Sequence, residues 1–232
     1  MDYKPSPLYN DVSQGPADCS AFWVMTDDKV KIRVGLWRAK SPIGTVFICP
    51  GRSEYIEKYG KTAKLFTEHG YTSVSLDWRG QGLADRLTSN TLLGHVDTFS
   101  DYLKDLDSAI KWAHNFDLPK PWFVLGHSMG GAIILRALHQ NKYFDAVAFS
   151  CPMWGIKLSP ALRIFAFFYG NLSKLLKIDK NFAPSTSEKG YFDESFADNP
   201  LTNDHETWQY LLDQVNKYPS LKLGGPSIRW VN

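Results

Sequence analysis

A serine flanked by glycines stands where an apolar run gives way to a helical pattern, in WFVLGHSMGGAIILRAL (residues 122–138). The pattern is G-x-S-x-G, with Gly126 and Gly130 each two positions from Ser128. A strand–turn–helix segment of this kind holds a serine in a sharp turn, and the glycines let strand and helix approach without clashes. The hydroxyl then stands clear of the sheet, so the pattern predicts that Ser128 is a nucleophile. The alternative is a glycine-rich turn without chemistry.

A serine nucleophile needs N–H donors for the oxyanion that develops during its reaction. One donor is expected from Met129, at the start of the helix that follows the serine. The second is expected from the loop CPGRSEYIEKY (49–59), where Gly51 lets the turn bring the N–H of Arg52 toward the serine. We therefore predict an oxyanion hole made by the backbone of Arg52 and Met129. The alternative is an ordinary strand–helix turn.

A serine hydroxyl also needs a general base, and the base needs a carboxylate that orients it. Only two histidines follow Ser128 in the chain, His139 and His205. His139 lies about 16 Å further along the helix, at a rise of about 1.5 Å per residue. His205 follows Asp193 and Asp198 but lacks the strand context expected of a catalytic base. The sequence therefore supplies no convincing partner for the serine.

Alternating apolar runs and helical patterns are the elements that must position these residues. The strand-like runs are 21–26, 30–37, 45–49, 71–76, 121–125 and 146–150. The first two predict a hairpin at a sheet edge, and the later ones alternate with three helices predicted over about 56–69, 99–113 and 129–140. Thr98 and Asp101 are expected to form a capping box for the second helix. The alternation indicates an α/β fold with a mostly parallel sheet covered on both faces.

No convincing strand follows residue 150, so we divide the chain into three parts. Residues 1–20 form a polar lead-in that is poorly ordered or wrapped on the surface, 21–150 form the core, and 151–232 form a helical lid. In the lid, Ser159-Pro160 predicts the start of a helix, and a second helix is expected around 205–216. The first of these helices is apolar nearly all round, so it is expected to be covered on more than one side.

Three segments together resemble the α/β-hydrolase superfamily: PGRSEYIEKY (50–59), LDWRGQGLADR (76–86) and LGHSMGG (125–131). More narrowly, from about residue 20 to its end, the chain resembles the lysophospholipase and monoacylglycerol-lipase-like group, filed with the S33 serine aminopeptidases. That group usually has His-Gly where this chain has Pro50-Gly51, as its bacterial lysophospholipase branch tends to. The predicted oxyanion hole uses the backbone N–H of the residue after the glycine, so Pro in place of His before the glycine leaves it intact.

The resemblance implies an α/β-hydrolase fold with a helical lid and a triad in the order serine, acid, histidine, the last two following later strands. Two closing strand–helix units would need on the order of 60 residues, and they are not recognised before the chain stops at SIRWVN. We therefore expect a fragment of a longer protein rather than a truncated, inactive one. The resemblance also implies that Asp77 and Arg79 are structural. His95 is expected to pack, and His127 to point away from the serine's reaction side.

Composition excludes several classes of function. The net charge is +2 and no Lys/Arg run occurs, so no nucleic-acid partner is expected. The three cysteines are Cys19, Cys49 and Cys151, and the two in apolar runs, Cys49 and Cys151, are expected to be buried reduced thiols. No secretory signal is recognised at the N-terminus, and no apolar run approaches the roughly 18 residues of a membrane span. These features favour a cytoplasmic protein.

The residues and the resemblance together predict a serine hydrolase that cleaves acyl esters of glycerol-type lipids through an acyl-enzyme on Ser128, without a metal or cofactor. Its partner is a small lipid or ester. The apolar lid helix either walls an acyl pocket, touches a membrane surface or simply packs on the domain; its residues are Ile164, Phe165, Phe167, Phe168 and Tyr169. Two alternatives stay open: an S33-type aminopeptidase or other carboxylesterase, and a truncated, non-catalytic acyl-ligand binder.

Overall fold

A six-stranded sheet forms the centre of the described protein in a computed structural model. The structure describes residues 3–140, 142–156, 159–199 and 201–231, apart from the side chains of residues 161, 162, 165 and 167. The strands are β1 (Cys19–Met25), β2 (Lys31–Trp37), β3 (Gly44–Cys49), β4 (Tyr71–Asp77), β5 (Trp122–His127) and β6 (Ala146–Ser150). Their order in the sheet is β1-β2-β4-β3-β5-β6. β2 pairs antiparallel with β1 and β4, and the remaining pairs are parallel. The predicted α/β fold with an N-terminal hairpin is confirmed.

The burial of each strand follows its sequence. β3 is buried along its whole length, as its continuous apolar run predicts for a strand inside a parallel sheet. The hairpin turn between β1 and β2 is held by Thr26, whose hydroxyl donates to Asp28 Oδ1 at 2.6 Å and accepts from the N–H of Val30. β1 begins two residues earlier than predicted, because Cys19 and Ser20 extend the pairing to Trp37 and Leu36.

In the described part of the chain, seven α-helices connect or cover the strands. They are α1 (Asn10–Ser13), α2 (Gly60–Glu68), α3 (Asp101–Asn115), α4 (Met129–Leu138), α5 (Pro160–Leu175), α6 (His205–Lys217) and α7 (Ile228–Val231). The helix predicted from residue 56 begins as a 3₁₀ turn over Ile56–Tyr59 and becomes α2 at Gly60. It ends before Gly70, whose φ of +83° is the left-handed conformation that a helix-terminating glycine adopts.

Two expectations for the helices need correction. The capping box at α3 is only half formed: Asp101 Oδ2 accepts from the N–H of Thr98 at 3.1 Å, but the N–H of Asp101 donates to the Thr98 carbonyl and not to its hydroxyl. α5 begins at the predicted place, but its expected cover on more than one side is not found, since its buried described residues, Gly170 and Ser173, lie on one side. Ile164, Leu172 and Leu175 are 61%, 51% and 78% exposed, because they share a face that none of the described elements covers.

α3 and α4 pack on one face of the sheet and α2 packs on the other. The main core joins Leu106 and Ile110 of α3 and Ile133 of α4 to the strands. Over β5 and β6 the other face carries an open apolar groove of about 310 Å³, lined by residues such as Phe66 and Phe123. β6 therefore forms one edge of the described sheet and is largely exposed.

The lead-in wraps on the surface, one of the two expectations for it. Its backbone bridges Pro5 to Phe22 of β1, and α1 is held by α6. The hydroxyl of Tyr210 donates to the Ser13 carbonyl at 2.6 Å, and the side-chain amide of Gln214 donates to the Val12 carbonyl at 3.0 Å. The division into lead-in, core and lid stays a prediction.

All three cysteines are free thiols. Cys49 is buried as predicted, and burial raises the pKa of its thiol. The expectation that Cys151 is buried is wrong, because it follows the exposed edge strand β6. Within the described residues, every helix is too short or too polar to cross a membrane.

Candidate active site

Ser128 lies in the strained turn between β5 and α4. Its φ of +48° and ψ of −118° belong to a backbone region that residues other than glycine rarely enter. The turn is held on both sides: the N–H of Ser128 donates to the Ser150 carbonyl at 3.1 Å, and its carbonyl accepts from Met153 at 2.9 Å and from Gly131 at 3.0 Å. Strain that the surroundings enforce in this way is typical of a functional turn.

The two glycines of the motif make the close approach of strand, helix and loop feasible. A Cβ at position 126 would lie 2.9 Å from the Cα of Gly131. A Cβ at position 130 would collide with the carbonyl oxygen of Cys49 and lie 2.5 Å from that of Pro50. Gly130 therefore lets α4 pack directly against the loop that carries the second predicted oxyanion-hole residue.

Two free N–H groups flank the serine. The loop after β3 passes close to it, since a Cβ at Gly51 would lie 3.0 Å from Ser128 Cβ. Among the described residues, no hydrogen-bond acceptor is found for the N–H of Arg52 or for that of Met129, the first residue of α4. Buried backbone N–H groups are nearly always paired. The unpaired donors are therefore free to bind an oxygen atom of a ligand beside Ser128.

Glu54 fixes this loop, and the sequence did not suggest it as a site residue. Its Oε2 accepts from the N–H of Gly51 and from the hydroxyl of Tyr59, the latter at 2.5 Å, and its Oε1 accepts from the Lys58 ammonium. Burial alone would raise the pKa of Glu54, but Lys58 and His127 outweigh it and lower the pKa from 4.5 to about 2. The only signal in the sequence was a carboxylate three positions after Gly51.

His127 belongs to the same network. Its Nε2 lies 3.4 Å from Glu54 Oε1 and its Nδ1 lies 3.3 Å from Ser150 Oγ. Sequence reasoning expected this ring to point away from the serine's reaction side; it makes no hydrogen bond to Ser128 Oγ among the described contacts. Its role in the structure is to support the loop that carries Arg52.

The segment DWRGQG (77–82) is structural, as predicted. Asp77 Oδ1 accepts from the N–H of Ile56 at 2.9 Å and its Oδ2 from Arg33 Nε at 2.7 Å, which ties the Arg52 loop to β2. Gln81 Nε2 donates to the Gly51 carbonyl at 2.8 Å. Arg79 pairs with Asp28 and Asp105, away from the serine.

None of the described histidines forms a hydrogen bond with Ser128 Oγ. His139 and His205 are exposed, at the end of α4 and the start of α6. His95 is buried, as the packing role predicted for it requires, with Nδ1 2.8 Å from Ser227 Oγ. Burial lowers the pKa of His95. The described residues thus bring together the serine and the two N–H groups predicted to form the oxyanion hole, but none of them offers an acid or a base hydrogen-bonded to the serine hydroxyl.

A serine in a strained strand–helix turn, on a mostly parallel sheet with an N-terminal hairpin, defines an α/β hydrolase. More narrowly, the chain belongs to the serine aminopeptidase S33 family, whose model matches residues 40–229. It is 31% identical over 223 residues to lysophospholipase L2 of Escherichia coli strain K12, covering 90% of this chain and 64% of that one. It is 33% identical over 147 residues to phospholipase YtpA of Bacillus subtilis, covering 62% of this chain and 54% of that one.

Among solved structures, the α/β hydrolase GrgF of Penicillium shares the fold, with a TM-score of 0.66 at 20% identity. The similarity covers 92% of this chain and 71% of that one. The chain spans less than two thirds of the length of the lysophospholipase and of the phospholipase named above, 64% and 54% respectively.

Proposed function

We propose that Ser128 is the nucleophile of a serine hydrolase that cleaves acyl esters of glycerol-type lipids. The observation that carries the proposal is the pair of unpartnered N–H groups, from Arg52 and Met129, beside a serine held in a strained turn. Two backbone donors fixed next to a nucleophile suit the oxyanion of acyl transfer. The names of the bacterial relatives, a lysophospholipase and a phospholipase, support a lipid ester as the substrate.

In the proposed reaction, Ser128 Oγ attacks the ester carbonyl carbon and loses its proton to a general base. The carbonyl electrons move onto the oxygen, where the Arg52 and Met129 N–H groups stabilise the negative charge. Collapse of this intermediate expels the glycerol oxygen, which takes up a proton, and leaves the acyl group on Ser128. Water then releases the fatty acid by the same steps. The base is not assigned, since none of the described histidines contacts Ser128 Oγ.

We also propose that the protein works in the cytoplasm, in peripheral contact with a membrane through α5. The exposed face of this helix carries Ile164, Leu172 and Leu175, and Lys174 stands beside them. An apolar face with basic neighbours is suited to the boundary between lipid headgroups and acyl chains. Phe165 and Phe167, which were expected to contribute, have side chains outside the described set.

The test is release of fatty acid from lysophosphatidylethanolamine and from a monoacylglycerol by the protein and by its Ser128→Ala variant. Because the serine forms the acyl-enzyme, the substitution should lower the rate by several orders of magnitude. Ser41→Ala, at an exposed position before β3, is the control and should leave the rate unchanged. Release that survives Ser128→Ala would contradict the proposal, and turnover of aminoacyl substrates alone would favour the aminopeptidase.

A non-catalytic acyl-ligand binder is the second candidate. It is favoured by one observation: among the described residues, neither a histidine nor a carboxylate forms a hydrogen bond with Ser128 Oγ. This candidate predicts that the chain binds an acyl ligand without releasing fatty acid, and that Ser128→Ala leaves the affinity nearly unchanged.

A further inference from the structure

Arg52 carries a guanidinium that has no carboxylate partner among the described ion pairs. Arg33 and Arg79 are each doubly paired, Arg33 with Glu57 and Asp77, and Arg79 with Asp28 and Asp105. Arg86, half-buried like Arg52, instead donates to four backbone carbonyls. Buried charges are ordinarily paired, because removing them from water is costly. Burial also lowers the pKa of Arg52, although a guanidinium stays charged at neutral pH. Arg52 is therefore a positive charge whose counter-ion is missing from the described contacts.

The groups around this guanidinium are neutral. Nη1 donates to Ser53 Oγ at 2.9 Å, Nη2 donates to the Gly224 carbonyl, and the ring of Trp230 lies 5.5 Å from Cζ. Tyr191 lies close enough to raise the pKa of Arg52 against the larger, lowering effect of burial. Nε is buried and has no partner in the described part of the chain. The side chain is thus held in place by neutral groups. Among the described residues, its charge has no counter-ion and its Nε–H has no acceptor.

A cavity of about 320 Å³ opens beside this side chain, between the loop over 185–191 and the loop over 224–226. Its lining includes a second cation, Lys189, and hydroxyl groups such as that of Ser187. Among the described residues of the lining, Glu194 is the one carboxylate, and it is exposed. A planar guanidinium with free donors matches the paired oxygens of a phosphate or a carboxylate, and a phosphate is the anionic group of the lysophospholipids that the proposed function favours.

Arg52 connects the cavity to the surroundings of Ser128. The backbone of this residue provides one of the two free N–H groups beside the serine, while its side chain reaches the cavity. In a lysophospholipid, the acyl ester and the phosphate stand at the two ends of one glycerol unit. An arginine side chain and a glycerol phosphate arm are similar in length, so one residue can contact both ends.

We propose that the Arg52 side chain, with Lys189, binds the phosphate of a glycerophospholipid headgroup, and that this site selects lysophospholipids over uncharged monoacylglycerols. The inference rests on the proposed function only in placing the ester at Ser128. Phosphate binding itself requires no turnover.

The experiment measures binding to the Ser128→Ala protein, so that turnover plays no part. Isothermal titration calorimetry compares three ligands: 1-octanoyl-lysophosphatidylethanolamine, 1-octanoylglycerol and inorganic phosphate. Adding Arg52→Gln should weaken binding of the lysophospholipid about 10-fold to 100-fold, the range expected for charge-assisted hydrogen bonds. The ratio of its Kd to that of 1-octanoylglycerol should rise by the same factor.

Two further variants make the test specific. Arg38→Gln removes one positive charge from an exposed position after β2, and should change neither Kd. Lys189→Gln alters an exposed side chain, so it should fold normally and weaken binding of the lysophospholipid by a smaller factor than Arg52→Gln. Circular dichroism checks that each variant is folded.

Three results would overturn the proposal. The first is equal weakening of both lipids by Arg52→Gln, and the second is lysophospholipid binding that is undetectable or unaffected by both cavity variants. The third is inorganic phosphate binding as tightly as the lysophospholipid, which would mean a site for the free anion. If Ser128→Ala leaves hydrolysis unchanged while the binding pattern holds, the proposed nucleophile fails and the phosphate site stands.

Discussion

At the scale of single residues, Glu54 has the most influence on the serine's surroundings without touching a substrate atom. Its carboxylate accepts from Gly51, Tyr59 and Lys58, and it lies against His127. These contacts hold the loop that carries the N–H of Arg52, for which no acceptor is found among the described residues. Because the folded protein lowers the pKa of Glu54 to about 2, its ionised form stabilises the fold.

Glu54→Gln should lower the free energy of unfolding at pH 7 by about 3 kcal/mol, the equivalent of the pKa shift from 4.5 to about 2. The folded pKa lies below the unfolded one, so this stability is present above pH 4.5 and is lost as the pH falls toward 2. Urea unfolding should therefore show a much smaller difference between the two proteins at pH 3 than at pH 7. Glu68→Gln, at an exposed position on α2, should show no such trend. An equal difference at both pH values would refute this assignment.

At the scale of secondary-structure elements, α5 departs furthest from what its sequence predicts. Its exposed apolar residues recur at helical spacing, at Ile164, Leu172 and Leu175, and so form a stripe. Ser173 and Gly170 on another face are buried. The helix therefore turns its apolar stripe away from the described core.

Leu172→Glu should weaken binding of the protein to vesicles of phosphatidylethanolamine and phosphatidylglycerol about tenfold or more, since it removes a leucine that the bilayer would bury and places a negative charge against an anionic surface. Co-flotation of protein with vesicles measures the effect. The matched control is Leu65→Glu, a similarly exposed leucine on α2, at 60% against 51%. Equal losses in both variants, or none in either, would argue against membrane contact through α5.

Much of this architecture could be predicted from the sequence because it depends on local patterns. The apolar run of β3 and the glycines around Ser128 each specify their own conformation, and α3 begins within two residues of its predicted start. The network around Glu54 could not be predicted, because its partners come from separate turns of the chain. The side chain of Arg52 was missed for a similar reason: its cavity is made by residues more than 130 positions later.

At the scale of the whole molecule, the described sheet has two unequal edges. β1 is bridged by the lead-in at Pro5, whereas β6 pairs with β5 alone among the described strands, and none of them covers its other side. Ala148 and Phe149 on this strand are exposed, next to the open apolar groove. An exposed strand edge beside an apolar surface is a template for association between chains.

Ala148→Lys should slow the aggregation of this 232-residue chain severalfold, because a charge on an edge strand opposes the addition of another strand. Light scattering during incubation at a fixed protein concentration measures the rate. Ala17→Lys adds the same charge at an exposed loop position before β1, and should have a much smaller effect. If both variants slow aggregation equally, net charge and not the β6 edge is responsible.

The attachment of α1 to α6 also imposes an order on how the protein folds during its synthesis. Ser13 and Tyr210, which the hydrogen bond joins, are 197 positions apart in the chain. A ribosome adds about 5 to 20 residues per second, so the lead-in waits about 10 to 40 s for its partner to be synthesised. Tyr210 also bonds to the Glu57 carbonyl, in the 3₁₀ turn next to the Arg52 loop. The surroundings of Ser128 that these bonds hold are therefore completed only after Tyr210 has been synthesised, well after the serine itself.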